Sequence, residues 1–225
     1  MTMPRHLVSL IARGSALIFA AALVACATPA QGDAPTEVDV VSASTFVADV
    51  GDDLFLAVVA AELESAEIGR AYVAYLCDGA EVATWLIDAD DGESVTLTTA
   101  DAEVAFSLGD DALSGEVTLA DGTPRPFTAV RAVGDAGLYR AEHPVGAPAT
   151  GALAIGVDHY VGGWIILNNA EQRGALTLGG AVVENPTLDP ATGTAQTSVG
   201  TLSTVTCIPV CFPGFCTCIP VVHPR

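Results

Sequence analysis

Residues 44–142 alternate apolar and polar side chains with a period of two, and a turn signal interrupts them roughly every 10 to 13 residues. Val104, Phe106 and Leu108 fall on one face of such a run, with Glu103 and Ser107 on the other. Ser94-Val95-Thr96-Leu97-Thr98 and Glu116-Val117-Thr118-Leu119 repeat the pattern. Leu54-Phe55-Leu56-Ala57-Val58-Val59 and Ala71-Tyr72-Val73-Ala74-Tyr75-Leu76 are apolar on both faces, which predicts central strands. The turn signals are Gly69, Asp78-Gly79, Asp91-Gly92, Gly109-Asp110, Asp121-Gly122 and Gly134-Asp135. Asp-Gly between alternating runs is a strong hairpin signal, because the left-handed turn matches the twist of the strands. The expected fold is all-β, an antiparallel meander forming a small barrel or sandwich. Residues 57–68 also read as a short helix, which is the main ambiguity of this stretch.

Residues 144–151 break the pattern with two prolines and two glycines. Further strands are expected at residues 153–157, 163–167, 175–178 and 181–183, with turns at Asn168-Asn169 and Gly179-Gly180. They close the first sheet or form a second lobe; one continuous β unit over 44–205 is the favoured reading. Trp85, Trp164, Tyr72, Tyr75 and Phe106 are expected in the core, or in part around a barrel cavity able to hold a small ligand.

The N-terminus reads as an address. Arg5, His6 and Arg13 precede an uncharged run over residues 14–25. The run is too short for a bilayer span, which needs roughly 20 residues, and it suits the core of a secretory signal. Leu23-Val24-Ala25-Cys26 resembles a bacterial lipobox, in which the Cys thiol is acylated before cleavage. The resemblance implies a signal peptide over 1–25, a mature chain beginning at Cys26 and a lipid anchor on the extracytoplasmic face of the cell membrane. The alternative is an ordinary signal peptide cut near residues 27–29, or a retained anchor. Residues 26–43, rich in Ala, Pro, Thr and acids, are expected to form a flexible tether.

Charge narrows the partners. The chain has 225 residues, 8 Arg and no Lys, 27 Asp and Glu, and a formal net charge of -19. Without residues 1–25, which hold two Arg and no acid, the net charge is 6 − 27 = −21. So acidic a chain repels phosphate, which argues against nucleic acid and anionic head groups.

Five cysteines follow Cys26. Four lie in Cys207-Ile-Pro-Val-Cys211-Phe-Pro-Gly-Phe-Cys216-Thr-Cys218. In an exported chain they are expected to form disulfides, and Cys216 and Cys218 are too close to pair with each other. Cys207 and Cys211 then each bond one of them, stapling a Pro-rich tail over 206–225. A Zn²⁺ or Cu(I) site with His223 is the alternative, on a spacing unlike known zinc motifs; a bridge from Cys77 to the tail is a third. Cys77, before a turn, is expected buried and inert.

The signals for catalysis are weak. Asp88-Ala89-Asp90-Asp91-Gly92-Glu93 misses the register of a Ca²⁺ loop, since Gly92 stands at position 5. Asp158-His159-Tyr160 has no Gly-x-Ser-x-Gly elbow to complete a triad, and His159 reads as part of a polar turn. No metal or cofactor site and no enzymatic activity is expected.

Several elements together are similar to a recurring extracytoplasmic domain of actinobacteria. They are Tyr75-Leu76-Cys77-Asp78-Gly79, Trp85, Leu119-Ala120-Asp121-Gly122, Phe127-Thr128-Ala129, Gly137-Leu138-Tyr139-Arg140-Ala141 and Gly163-Trp164-Ile165-Ile166-Leu167, spread over residues 44–185. The resemblance implies an envelope context and carries no catalytic residue. The resulting expectation is a membrane-anchored, non-enzymatic interaction module whose partner is an envelope protein. The alternative is a small-ligand carrier with a barrel cavity.

Overall fold

The computed structural model describes residues 36–64, 69–109, 111–145 and 159–221. Cys26, the strand expected at 153–157 and His223 lie outside them. The described residues contain strands and turns and no helix.

The strands run in chain order. A short β1 (Thr36–Glu37) is followed by a meander of β2 (Val40–Gly51), β3 (Leu54–Leu63), β4 (Arg70–Cys77) and β5 (Ala83–Ala89). A second meander comprises β6 (Ser94–Thr98), β7 (Ala102–Leu108), β8 (Ala112–Leu119) and β9 (Pro124–Arg131). The two join where β9 pairs with β2, giving one eight-stranded antiparallel sheet in the order β5-β4-β3-β2-β9-β8-β7-β6. It curls nearly into a barrel, and its two edges, β5 and β6, come close without pairing. The segment that also suited a helix is strand through Leu63, because both of its faces are covered.

The chain then leaves the barrel. A turn at residues 133–136, where the Ala136 N–H donates to the Val133 carbonyl at 3.1 Å, redirects it. Four strands form a second antiparallel sheet: β10 (Gly137–Pro144), β11 (His159–Ile166), β12 (Gln172–Leu178) and β13 (Ala181–Glu184). A small third sheet follows, of β14 (Leu188–Asp189), β15 (Thr194–Thr197) and β16 (Gly200–Ser203). The hairpin of β17 (Cys207–Phe212) and β18 (Phe215–Pro220) ends the described chain, with β1 parallel to β18. Strands after residue 136 thus build separate sheets within the same compact unit, instead of extending the first one.

Three hydrophobic clusters explain the stacking. The inward barrel face packs Leu56, Tyr72, Leu86, Val104, Phe106 and Val117 against one another. The outward face of β2–β5 is equally apolar, and it is buried by Leu138, Ile165 and Ala175 of the second sheet and by Ile208, Phe215 and Ile219 of the hairpin. This double burial is what the two-faced apolar strands require. The far side of the second sheet, with Tyr139, Trp164 and Leu176, is covered by Leu188, Ala195 and Leu202.

Close approach depends on glycine at two places. A Cβ on Gly163 would stand 2.5 Å from the Tyr75 ring, so its absence lets the second sheet settle on the barrel. A Cβ on Gly174 would stand 2.0 Å from the Trp164 indole.

One boundary differs from the expected one. The tether does not extend to residue 43: β1 begins at Thr36 and β2 at Val40. Val38, Val40 and Ala43 pack on the outer barrel core, and this burial outweighs the acidic composition around them. The stapled region after residue 206 forms a hairpin that shares that same core.

Candidate functional site

Strand β5 is a barrel edge, and its outward face carries Ala83, Trp85 and Ile87. The second sheet and the C-terminal hairpin do not fully cover this face. A cleft of about 430 Å³ remains, lined by Trp85, Ile87, Arg140, His159, Val161 and Ile208 among others. Its walls are mainly apolar with a few polar groups among them, which makes it the candidate binding site.

Arg140 is its most constrained member. Alternation along β10 places Leu138, Arg140 and Glu142 on the face toward the barrel, while Tyr139 and Ala141 face the third sheet. Arg140 is buried, at 6% exposure. Its Nε and Nη2 donate to Glu142 Oε1 at 3.0 and 2.7 Å. Its guanidinium lies 4.7 Å from the Trp85 ring centroid, and Tyr75 stacks on Trp85 at 4.3 Å. Tyr, Trp and Arg therefore form one packed column whose charge Glu142 balances. The Val205 N–H donates to the Arg140 carbonyl at 2.7 Å, which sets the chain entering β17 beside the cleft.

His159 does not sit in a turn. It opens β11, opposite Pro144, and lines the cleft with Nδ1 buried and unbonded. Thr177 is buried on β12, its hydroxyl donating to the Val161 carbonyl at 3.1 Å.

At one end of the column the Tyr75 hydroxyl is buried without a hydrogen bond of normal geometry, beside the Cys77 thiol. Burial pushes the Tyr75 hydroxyl well above its ordinary value, and the neighbouring thiol adds to this. Cys77 is a free, buried cysteine, and burial raises its thiol too, so little reactive thiolate forms near neutral pH.

The four tail cysteines form two bridges, Cys207–Cys218 and Cys211–Cys216, with Cα separations of 5.6 and 4.1 Å. Cys211 and Cys216 stand directly opposite each other in the hairpin register. With their thiols joined in pairs, these residues offer no thiolates to a metal. Among the described residues no group of three or more His, Cys, Asp or Glu converges as a metal site. The acidic turn at 88–93 is held by its own backbone, Asp90 accepting from the Gly92 N–H at 2.7 Å.

A second depression, of about 380 Å³, lies at one mouth of the barrel between Ser42, Ser44, Glu62, Arg70 and Arg131. It is polar, and Arg131 is already engaged with Ser44 and Asp111.

Comparison with family models, curated proteins and solved structures finds no significant match. Function is accordingly argued from the chain's own geometry. Sequence reasoning missed Arg140 and Val161 as cleft residues, and Glu142 as the partner of Arg140. One signal was available: alternation puts Arg140 in line with Leu138 on a buried face, with an acid two residues on.

Proposed function

We propose that this protein is a lipid-anchored extracytoplasmic binding module, without enzymatic activity, displayed on the outer face of the cell membrane through Cys26. The observation that supports export is the pair of disulfides closing the C-terminal hairpin, since paired structural thiols belong to oxidising compartments. The lipobox-like Leu23-Val24-Ala25-Cys26 supplies the anchor, and two or more acyl chains make attachment stable. The similarity to an actinobacterial envelope domain points the same way. The test is expression in a bacterial host with an alkyne-labelled fatty acid. Label is expected on the membrane-bound protein and absent from a Cys26→Ala variant. An unlabelled wild type recovered in the soluble fraction would refute the anchor.

A second reading concerns what is bound. The inward barrel face is filled by side chains, so a small ligand is expected in the external cleft and not in a lumen. Native mass spectrometry of residues 27–225, exported and oxidised, tests it. Extra mass lost on denaturation, and lost in a Trp85→Ala variant, supports a carried ligand. A native mass equal to that of the oxidised chain favours an envelope protein as the partner.

A further inference from the structure

Charge is distributed very unevenly along this chain. Asp and Glu number 27, yet residues 190–222 contain no Asp, Glu, Lys or Arg. That neutral segment includes the β17–β18 hairpin. Its two-residue turn is Pro213-Gly214, with Gly214 at φ 94°, the left-handed value a Pro-Gly turn requires. Pro213 and Gly214 are exposed; the flanking Phe212 is half-buried and Phe215 is buried in the outer barrel core, their rings stacked at 5.0 Å. The Cys211–Cys216 bridge closes the tip directly behind them.

The N-terminal chain meets the fold at this tip. The Thr36 N–H donates to the Gly214 carbonyl at 3.2 Å, and the Val38 N–H to the Cys216 carbonyl at 3.0 Å. Because β1 runs parallel to β18, the chain enters β1 from the side of the turn. Ten residue steps separate Cys26 from Thr36, a reach of at most about 35 Å even if fully extended.

We infer that the exposed Pro213-Gly214 turn, with the half-buried Phe212 beside it, is a membrane-docking surface that rests on the lipid bilayer to which Cys26 is anchored. The inference rests on the anchored reading above. The acidic remainder of the domain is unsuited to that contact, whereas an uncharged Pro-Gly turn can approach the boundary between head groups and acyl chains without desolvating a charge. Glu37, opposite Cys216, is the one acid β1 brings beside the hairpin, and it favours a zwitterionic surface over an anionic one. The short tether makes docking intramolecular, so a contact too weak to hold a free domain is populated. Docking fixes the barrel's orientation above the membrane.

The test uses the full chain, expressed in a bacterial host, purified as the mature lipoprotein and reconstituted into phosphatidylcholine vesicles with or without brominated acyl chains. Pro213→Trp places an indole on the exposed tip, in a loop still held by the Cys211–Cys216 bridge. Thr123→Trp places one on the exposed β8–β9 turn of the acidic barrel, over the same background of Trp85 and Trp164. The emission of Pro213→Trp is expected to shift to the blue, and bromination should quench it about twofold more than that of Thr123→Trp. Equal quenching of the two variants in acylated protein overturns the docking inference alone. A denatured mass without acyl chains overturns the anchored reading itself, and docking with it.

Discussion

Removing the Glu142 carboxylate should destabilise the fold more than removing the buried cation it balances. The Arg140 side chain is 7% exposed and that of Glu142 is 25% exposed. In Glu142→Ala the guanidinium stays buried over Trp85 with both donated bonds lost. Breaking a fully buried pair by removing one partner costs about 3–5 kcal/mol. Glu142 is a quarter exposed and the cleft admits water, so about 2 kcal/mol is expected here. For a domain of this size that lowers Tm by about 4–8 °C. Arg140→Met keeps the aliphatic stem on Trp85 and leaves a carboxylate that can turn to solvent; about 1 kcal/mol is expected. The Arg140→Met/Glu142→Ala double variant should cost about the same as Arg140→Met alone, a coupling of about 1.5–2 kcal/mol. Urea unfolding of the oxidised domain measures all three. Additive costs, or a Glu142→Ala cost below about 0.5 kcal/mol, would refute the reading of Arg140 as a buried charge dependent on one partner.

Four other outcomes follow from the packing. Gly174→Ala forces a Cβ to 2.0 Å from the Trp164 indole and should cost about 3 kcal/mol, seen as a drop in the urea midpoint. Tyr75→Phe removes a buried hydroxyl without a good partner and should leave stability within about 0.5 kcal/mol, whereas Tyr139→Phe loses the 2.7 Å bond to the Asp135 carbonyl and should cost about 1 kcal/mol. Replacing Cys207 and Cys218 together by Ala opens a loop with a sequence separation of 11; a cost of about 3 kcal/mol is expected, and no change in midpoint would show that the hairpin core suffices alone. Burial, helped by Asp135, pushes the Tyr139 hydroxyl up to about 12, and burial also raises Tyr72 and Tyr75. Groups raised in the fold leave stability intact below about pH 10 and remove it as pH climbs toward 12, so tyrosinate absorbance and unfolding should rise together over that window. Tyrosinate forming well before the fold is lost would contradict this.

The strands of the barrel were legible because burial on one or both faces writes itself into every second residue. Leu54 to Val59 and Ala71 to Leu76 read as central strands for that reason, and they are buried on both sides. The cysteine run made two bridges the favoured reading, since Cys216 and Cys218 are too close to pair with each other; the fold chose Cys207–Cys218 and Cys211–Cys216. The start of β2 was hidden behind acids and prolines, because Val40 and Ala43 gain their burial from the distant β3 and hairpin. The cleft was less legible still. Trp85 reads as one more core aromatic, and His159 as part of a turn, until β10, β11 and β17 are set around them.

What the sequence by itself determined is the class of structure: period-two alternation and Asp-Gly turns admit antiparallel strands and little else, and adjacent cysteines in an exported-type chain admit local bridges. Tertiary structure decided where the chain stops adding strands to the first sheet. Strand-forming apolar runs continue past residue 136, and only the outward apolar face of β2–β5, which had to be covered, distinguishes a longer sheet from a second layer. Covering that face with two separate elements, one sheet and one stapled hairpin, left the cleft beside β5 and placed the neutral hairpin tip where the N-terminal chain enters the fold.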